Sequence, residues 1–278
     1  MDSTSTLTDY HLHTPLCHHA NGWPVEYARV AVEKGFSELG FADHNPMREQ
    51  FDDWRMALDD LPRYLEAVEE ARKQFPQLPI RIGLECDFIL GREEWIEELA
   101  RMADWDFFIG SVHYLPEGWE VDHPKYVGRF RDGDVAQIWS DYWSVYERCI
   151  RSRLFDFVAH PDLPKKFGFR PEGDLRRYYE PVIAALVETD TAFEINTAGL
   201  RKDCRELYPA QGFLELAQAS GVPLLINSDA HDPSEVGAGF AEGIAAAKAA
   251  GFTQIVRFEK RRRKALALPS ASELKSVS

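Results

Sequence analysis

Asp9-Tyr10-His11-Leu12-His13-Thr14 closes a short apolar run near the start of the chain, and His18-His19 follows five residues on. Side chains alternate along an extended strand, so His11 and His13 leave it from one side. Two imidazoles side by side pack badly in a core and serve well as ligands to first-row metals. Alone, a His-x-His pair is a weak signal that describes surface or hydrogen-bonded histidines as well. Here it has company. The chain holds nine histidines. Most end an apolar run: Phe41-Ala42-Asp43-His44, Phe108-Ile109-Gly110-Ser111-Val112-His113, Phe157-Val158-Ala159-His160 and Leu224-Leu225-Ile226-Asn227-Ser228-Asp229-Ala230-His231. Ile82-Gly83-Leu84-Glu85 ends the same way in a carboxylate.

Working outward, strand and helix alternate about seven times. Strands are expected over 7–13, 39–43, 80–85, 107–112, 156–160, 192–196, 223–227 and 253–258. Helices are expected over 24–35, 54–75 (broken or kinked at Pro62), 92–103, 134–150, 175–188, 210–220 and 233–250, several with Pro at the start or Gly at the stop. Residues 114–133 and 161–173 read as ordered loops beside candidate ligands. The basic run Lys260–Lys264 reads as solvated surface. Repeated βα units without a composition break or internal repeat imply one α/β domain, either a closed barrel or an open sheet. Each candidate ligand lies at the C-terminal end of a different strand. That favours the barrel, because an open sheet gathers ligands from a few strands at one crevice. The expected layout is a barrel over residues 1–268 and a flexible tail over 269–278.

Composition narrows the function classes. In 278 residues the hydrophobic share is 45%, enough for a full core, and the net charge is −14. That charge argues against nucleic acid as a main partner, while leaving room for a small phosphorylated substrate in a local basic pocket. No apolar segment follows a basic start and no run nears the length of a membrane span, so a cytoplasmic protein without a membrane partner is expected. The four cysteines (Cys17, Cys86, Cys149, Cys204) form no CxxC pair and read as reduced and mostly structural. Homo-oligomerisation is left open.

The ligand candidates are His11, His13, His19, His44, Glu85, His113, His160, Asp229 and His231. A catalytic ion takes three or four protein ligands, so this set suits two or three ions, with Glu85 or Asp229 able to bridge.

At this point the motifs resemble those of the PHP (polymerase and histidinol phosphatase) superfamily. The run from Asp9 to Ala20 is similar to its first motif. Phe41–His44, Gly83–Glu85, Gly110–His113, His160-Pro161-Asp162 and Ser228–His231 follow in family order. His160–Gly168 and Glu194–Arg201 resemble the histidinol-phosphatase branch in particular. The resemblance implies a distorted (β/α)7 TIM-like barrel with a trinuclear centre. One ion would take His11, His13, Glu85 and Asp229; a second would share Glu85 and add His113 and His160; a third would take His19, His44 and His231. Zinc, iron and manganese all suit such ligands. The family often has Gly before its loop histidine, and this chain has His18. Spacing favours His19 as the ligand, with His18 behind the ligands or near the substrate.

The implied chemistry is hydrolysis of a phosphate monoester, L-histidinol phosphate in histidine biosynthesis, by hydroxide from a metal-bound water attacking in line at phosphorus. Outside the ions, Arg201 is the leading phosphate clamp because a guanidinium offers a bidentate fork. Lys165, Lys166 and Arg170 come next, then Arg257. Asn45 and Ser228 flank ligands and could hold phosphate or the ligand shell. Asp162 and His18 are candidates for leaving-group protonation, beside a metal-bound water. Acids (Asp162, Glu117, Asp122) and aromatics (Tyr114, Trp119, Trp23) could hold the cationic alcohol half. The competing readings are a related phosphoesterase acting on another small ester or nucleotide, a metal-binding barrel without catalysis, and an amidohydrolase. The last usually carries a bridging lysine, which has no counterpart in place here.

Overall fold

The computed structural model describes residues 5–274. In chain order the elements are β1 (Thr8–Leu12), α1 (Pro24–Lys34), β2 (Glu38–His44), α2 (Leu61–Gln74), β3 (Ile80–Asp87), α3 (Glu93–Leu99), β4 (Phe107–Ser111), β5 (Tyr114–Leu115), β6 (Trp119–Glu120), α4 (Val127–Asp132), α5 (Val135–Arg151), β7 (Phe157–Val158), α6 (Arg176–Thr189), β8 (Ala192–Asn196), α7 (Gln211–Ala219), β9 (Leu224–Asn227), α8 (Phe240–Ala250), β10 (Gln254–Glu259) and β11 (Arg262–Ala267). Seven strands form one parallel sheet in the order β1-β2-β3-β4-β7-β8-β9. Short connections and a right-handed crossover give that order directly.

The sheet curls until its edges meet, so the chain is a single α/β domain built on a nearly closed, distorted barrel. Only the upper ends of β1 and β9 pair as backbone: His13 N donates to the Ala230 carbonyl at 3.0 Å and Ala230 N to the His11 carbonyl at 3.1 Å. Lower down, side chains close the seam. Asn227 Oδ1 accepts from Tyr10 N at 2.8 Å, and Asp9 Oδ1 accepts from Ser228 N at 3.0 Å.

Inside the barrel lies an apolar plug of Tyr10, Ala42, Phe107, Ile109, Phe157, Ala159, Ala192 and Leu225, completed by Val256 and Phe258. Gly83 makes room for it: a Cβ there would meet the Phe107 carbonyl oxygen at 2.4 Å and its ring at 2.7 Å. Tyr10 and His11 are neighbours in sequence, yet Tyr10 packs on Phe107 in the interior while His11 reaches Glu85 at the site. Straight alternation forbids this. The register against β2 slips by one residue between Asp9 and Leu12, and such a bulge re-aims the side chains that follow.

Several expectations need correction. Residues 114–133 hold the β5–β6 hairpin and α4. Pro62 opens α2 rather than kinking it, after a 3-10 turn at Leu58–Asp60. The helix expected over 233–250 starts only at Phe240, because Gly237 (φ 66°) and Gly239 (φ 74°) take left-handed backbone. The last strand, expected as a plain strand over 253–258, pairs antiparallel with β11, built from the basic run, and this hairpin seals the N-terminal end of the barrel. There Arg261 pairs with Asp156 and Arg81 with Glu38. Part of the expected tail is also ordered. Residues 271–273 form a 3-10 turn capped by Ser270, and Glu273 accepts from Thr6 N at 2.8 Å. Residues 275–278 lie outside the described residues.

Candidate metal centre

The C-terminal ends of the strands deliver eight of the nine candidate ligands to one place. β1 carries His11, with His13 just beyond its end; β2 ends in His44; β3 carries Glu85; His113, His160, Asp229 and His231 follow β4, β7 and β9, and His19 comes from the loop after a 3-10 turn at Pro15–Cys17. Offering one ligand atom each, His11, His13 and Glu85 lie within 4.8 Å of one another; so do Glu85, His113 and His160, and so do His19, His44 and His231. Asp229 Oδ1 stands 3.3 Å from His13 Nε2 and 3.7 Å from His11 Nε2. Cys17 forms a fourth group with His13 and His231. His160 (φ 28°) and Asp229 (φ 51°) hold left-handed backbone that non-glycine residues seldom adopt, which marks the site as strained in order to aim these two side chains.

The donor set fits divalent cations. Both ring nitrogens of His13 and His160 Nδ1 are buried without a hydrogen-bond partner, and His11 Nε2 and His44 Nδ1 face only the shared Glu85 carboxylate, at 3.3 and 2.9 Å, an under-satisfied set that a folded protein seldom carries without a ligand. Burial alone would push the Glu85 carboxyl up, but the imidazoles of His44 and His11, with hydrogen bonds from His11 and His160, hold it well below the usual range. Burial and the crowding of His44 and His13 push His19 down to about 4. Burial and His13 push His231 down as well. Against the cost of burial, the buried carboxylates hold protons on His11, His13 and His113, while His19, His44 and His231 shed theirs. Ionised carboxylates among so many imidazoles form a donor set that a metal cation can take over from those protons.

Carboxylates stand behind the ligands, and the sequence reading missed them. Glu194 lies 3.1 Å from His11 Nδ1 and Asp87 2.7 Å from His113 Nδ1, while Asp43 is 3.5 Å from His13 Nδ1. Burial lowers His113, but Asp87 raises it to about 10. Acids one or two residues from a ligand on the same strand (Asp43 beside His44, Asp87 beyond Glu85) were the available signal, since a ligating imidazole usually gives its other nitrogen to a carboxylate.

Over the cluster opens a cavity of about 440 Å³. Its wall includes Trp54, Glu120, Asp122, Lys166, Arg201 and Tyr208. Arg201 donates from Nη2 to the Ser228 and Asp229 carbonyls at 2.9 and 3.2 Å, and its Nε lies 3.1 Å from Glu235. Its Nη1 is buried and unpartnered. Lys166 pairs with Asp122 at 2.8 Å.

Other expected site residues are elsewhere. Arg257 sits at the opposite end of the barrel, paired with Glu38 at 2.8 Å, because β10 belongs to the sealing hairpin. Lys165 and Asp162 are both fully buried and bonded to each other at 2.9 Å, outside the cavity wall. Asp162 also accepts from Tyr179 at 3.2 Å and Ala210 N at 2.7 Å, so its carboxylate points into the helix layer and not at a leaving group. Arg170 pairs with Glu206 at 2.6 Å, away from the wall. Asn45 is buried, bonding Asp87 N at 3.0 Å. Ser228 is buried too, and its hydroxyl and N–H both bond Asp9. His18 (φ 66°) and His19 both keep exposed surface, but His18 bonds the Asp53 carbonyl at 2.8 Å while the His19 ring packs against those of His44 and His231. Of the residues suggested for the alcohol half, Asp122 lines the cavity. Glu117 pairs with Arg129, which also covers Trp119, and Trp23 lies under Arg63.

Known proteins share this plan. Residues 9–198 match the model of the PHP domain. A Deinococcus radiodurans protein named probable histidinol-phosphatase is 42% identical over 86% of this chain and 91% of its own. The Bacillus subtilis histidinol-phosphatase is 28% identical over 82% and 95%. The crystal structure of a Lactococcus lactis histidinol phosphate phosphatase complexed with zinc, L-histidinol and phosphate superposes with a TM-score of 0.79, covering 94% of this chain and 99% of that one at 20% identity, a likeness of fold. With a strand-end ligand set in family order, a domain match over most of its length and a 42% identical relative named for histidinol phosphate chemistry, the chain belongs to the PHP domain family, among its histidinol-phosphatase-like members.

Proposed function

We propose that this protein is a metal-dependent phosphomonoesterase that hydrolyses L-histidinol phosphate to L-histidinol and phosphate. The observation that carries the reading is the convergence of seven imidazoles, Glu85 and Asp229 into one cluster, five of those imidazoles and both carboxylates lining the cavity that Arg201 also lines. The 42% identical relative supports the substrate. Three divalent ions, zinc, iron or manganese, would sit with His11, His13, Glu85 and Asp229, with Glu85, His113 and His160, and with His19, His44 and His231. Bound there, divalent ions neutralise phosphate oxygens and lower the pKa of water.

The chain's own residues do the rest. Arg201 is anchored by two carbonyls and Glu235, so its free Nη1 presents a fixed donor to a phosphate oxygen. Lys166 adds charge from the rim while tethered to Asp122. Trp54 stands edge-on to His44 and His113 and walls the floor from water. Glu120 gives the rim a negative group for the ammonium or imidazole of histidinol, beside Asp122, whose charge Lys166 balances.

Among the described residues no helix is long and apolar enough to cross a membrane. We place the enzyme in the cytoplasm, where a biosynthetic step on a small phosphate ester would run. Steady-state phosphate release from L-histidinol phosphate, beside a panel of other monoesters and before and after chelation with metal add-back, tests the assignment. Preference by orders of magnitude in kcat/KM with full metal dependence is expected. Metal-dependent turnover that is flat across the panel would keep the centre and remove the substrate.

A further inference from the structure

Arg55 is fully buried, and no other arginine among the described residues is. It lies on the irregular segment between β2 and α2 and does not line the cavity. Burying a guanidinium is costly, and a well-packed apolar side chain often serves stability as well. What the cation contacts is therefore informative, and three of its contacts lead into the site.

The first runs through Asp87. Arg55 Nη2 donates to Asp87 Oδ2 at 2.9 Å, and Asp87 Oδ1 faces His113 Nδ1 at 2.7 Å. With Oδ2 occupied, Asp87 holds Nδ1 of His113 through Oδ1, which leaves Nε2 as the ring nitrogen aimed toward Glu85 at 3.7 Å. The second is a stack. The guanidinium carbon lies 4.4 Å from the Trp54 ring centre, and Trp54 packs edge-on against His44 at 4.6 Å and His113 at 5.6 Å. The third runs through Asp52, which takes Arg55 Nε at 2.8 Å and Nη2 at 2.6 Å. Asp52 also accepts from Tyr114 Oη at 2.7 Å. The same hydroxyl lies 2.8 Å from Glu120, whose carboxylate accepts Trp54 Nε1 at 2.5 Å.

We propose that Arg55 is a positioning residue that fixes the donor face of His113 and the placement of Glu120 together, setting the metal floor and the acidic rim at one spacing. This rests on the reading of the cavity as a site for a cationic phosphate ester. A planar fork can bridge Asp52 and Asp87 while stacking on an indole; a lysine ammonium keeps the charge and loses the bridge.

The test is Arg55→Lys in the full chain, with two readouts. The first is zinc affinity by competition with a chromophoric chelator, which needs no substrate. The second is kcat and KM on L-histidinol phosphate and on p-nitrophenyl phosphate, which lacks a cation. Zinc affinity is expected to fall about 10- to 100-fold, as when a ligand's outer partner is lost. Efficiency on L-histidinol phosphate is expected to fall further than on p-nitrophenyl phosphate. Wild-type zinc affinity with equal losses on both esters would overturn the proposal. Should Arg55→Lys be insoluble, Asp87→Asn reads the inner link: its amide oxygen turns to Arg55, its NH2 turns to His113 Nδ1, and the imidazole takes the wrong tautomer. Unchanged zinc affinity there overturns the proposal as well. Asp52→Asn reads the outer link and is expected to raise KM for L-histidinol phosphate selectively; an equal change on both esters counts against it. A wild-type enzyme inert on L-histidinol phosphate would sink the substrate reading alone, because the zinc readout stands without it.

Discussion

Glu194 grips His11 from behind: both carboxylate oxygens lie 3.1 Å from His11 Nδ1, while His11 Nε2 faces Glu85 at 3.3 Å. The carboxylate is fully buried and also accepts from His160 N at 2.9 Å and from Asn196 and Asn227 at 2.8 Å. Burial pushes its carboxyl up, but His11 and these donors hold it below the usual range. A single ionised group therefore orients a ligand from β1 and the backbone of another after β7.

Glu194→Gln keeps the volume and removes the charge. One amide oxygen cannot serve all these donors, so the His11 tautomer loosens. Zinc retained after dialysis and kcat/KM are expected to fall about 10- to 100-fold, with the protein still folded by circular dichroism. Full zinc content in the variant would show that Glu194 only packs.

Arg201 separates a clamp from a general positive charge. Its Nη2 and Nε are anchored and its Nη1 is free, so the free donor is presented at no further ordering cost. A charge-assisted hydrogen bond contributes about 1.5–3 kcal/mol, so Arg201→Met is expected to lower kcat/KM about 10- to 100-fold. Arg201→Lys should recover little, because lysine cannot hold the carbonyls and the substrate together. Inhibition by inorganic phosphate should weaken in parallel. Unchanged phosphate inhibition in Arg201→Met would remove the clamp.

Asp162 and Lys165 make the opposite prediction. Both are fully buried, 2.9 Å apart, and off the cavity wall. Removing one partner strands a charge, a loss of about 3–5 kcal/mol. Lys165→Met and Asp162→Asn should therefore lower Tm markedly, while the pH profile of kcat for the folded fraction keeps its shape. A lost limb in the Asp162→Asn profile would restore that carboxyl as a proton donor.

Eight of the nine candidate ligands were legible because each is tied to a strand end, and a strand end is legible as the place where an apolar run stops; His19, in the loop after β1, was reached only through the motif. The sequence carried the barrel for the same reason as the eight. It misplaced Asp162 and Lys165 because nearness in sequence to His160 says nothing about direction. Left-handed backbone at Asp162 (φ 78°) turns its carboxylate into the helix layer. Arg257 was misread because a short strand after a helix looks the same whether it joins the barrel or pairs antiparallel below it. Glu194 was invisible as an isolated acid on a strand, and Arg55 as a cation in a segment without periodicity. Their roles depend on partners as far away as the 183 residues that separate Glu194 from His11.

Metal removal should affect turnover and stability together. Ring nitrogens of His11, His13, His44 and His160 crowd around Glu85 and Asp229 at the barrel mouth, the end where the sheet closes through His13 and Ala230. Ions bound there join β1, β2, β3 and β9 and bind only the folded chain. At about 100 times Kd each such ion adds about 2.7 kcal/mol. Prolonged chelation should therefore abolish phosphate release and lower Tm by several degrees, and zinc or manganese should restore both. Protons compete for the same nitrogens. Burial lowers His11, His13 and His113, but nearby carboxylates raise them above the ordinary imidazole range, His113 to about 10, so the apparent metal affinity should weaken steadily as pH falls from alkaline through neutral to acid. Activity at limiting metal should then drop on the acid side and recover when more metal is added. Acid loss that added metal leaves untouched would place the titrating group outside the ligand set. A chelated protein of unchanged Tm and full turnover would exclude the ions from both roles.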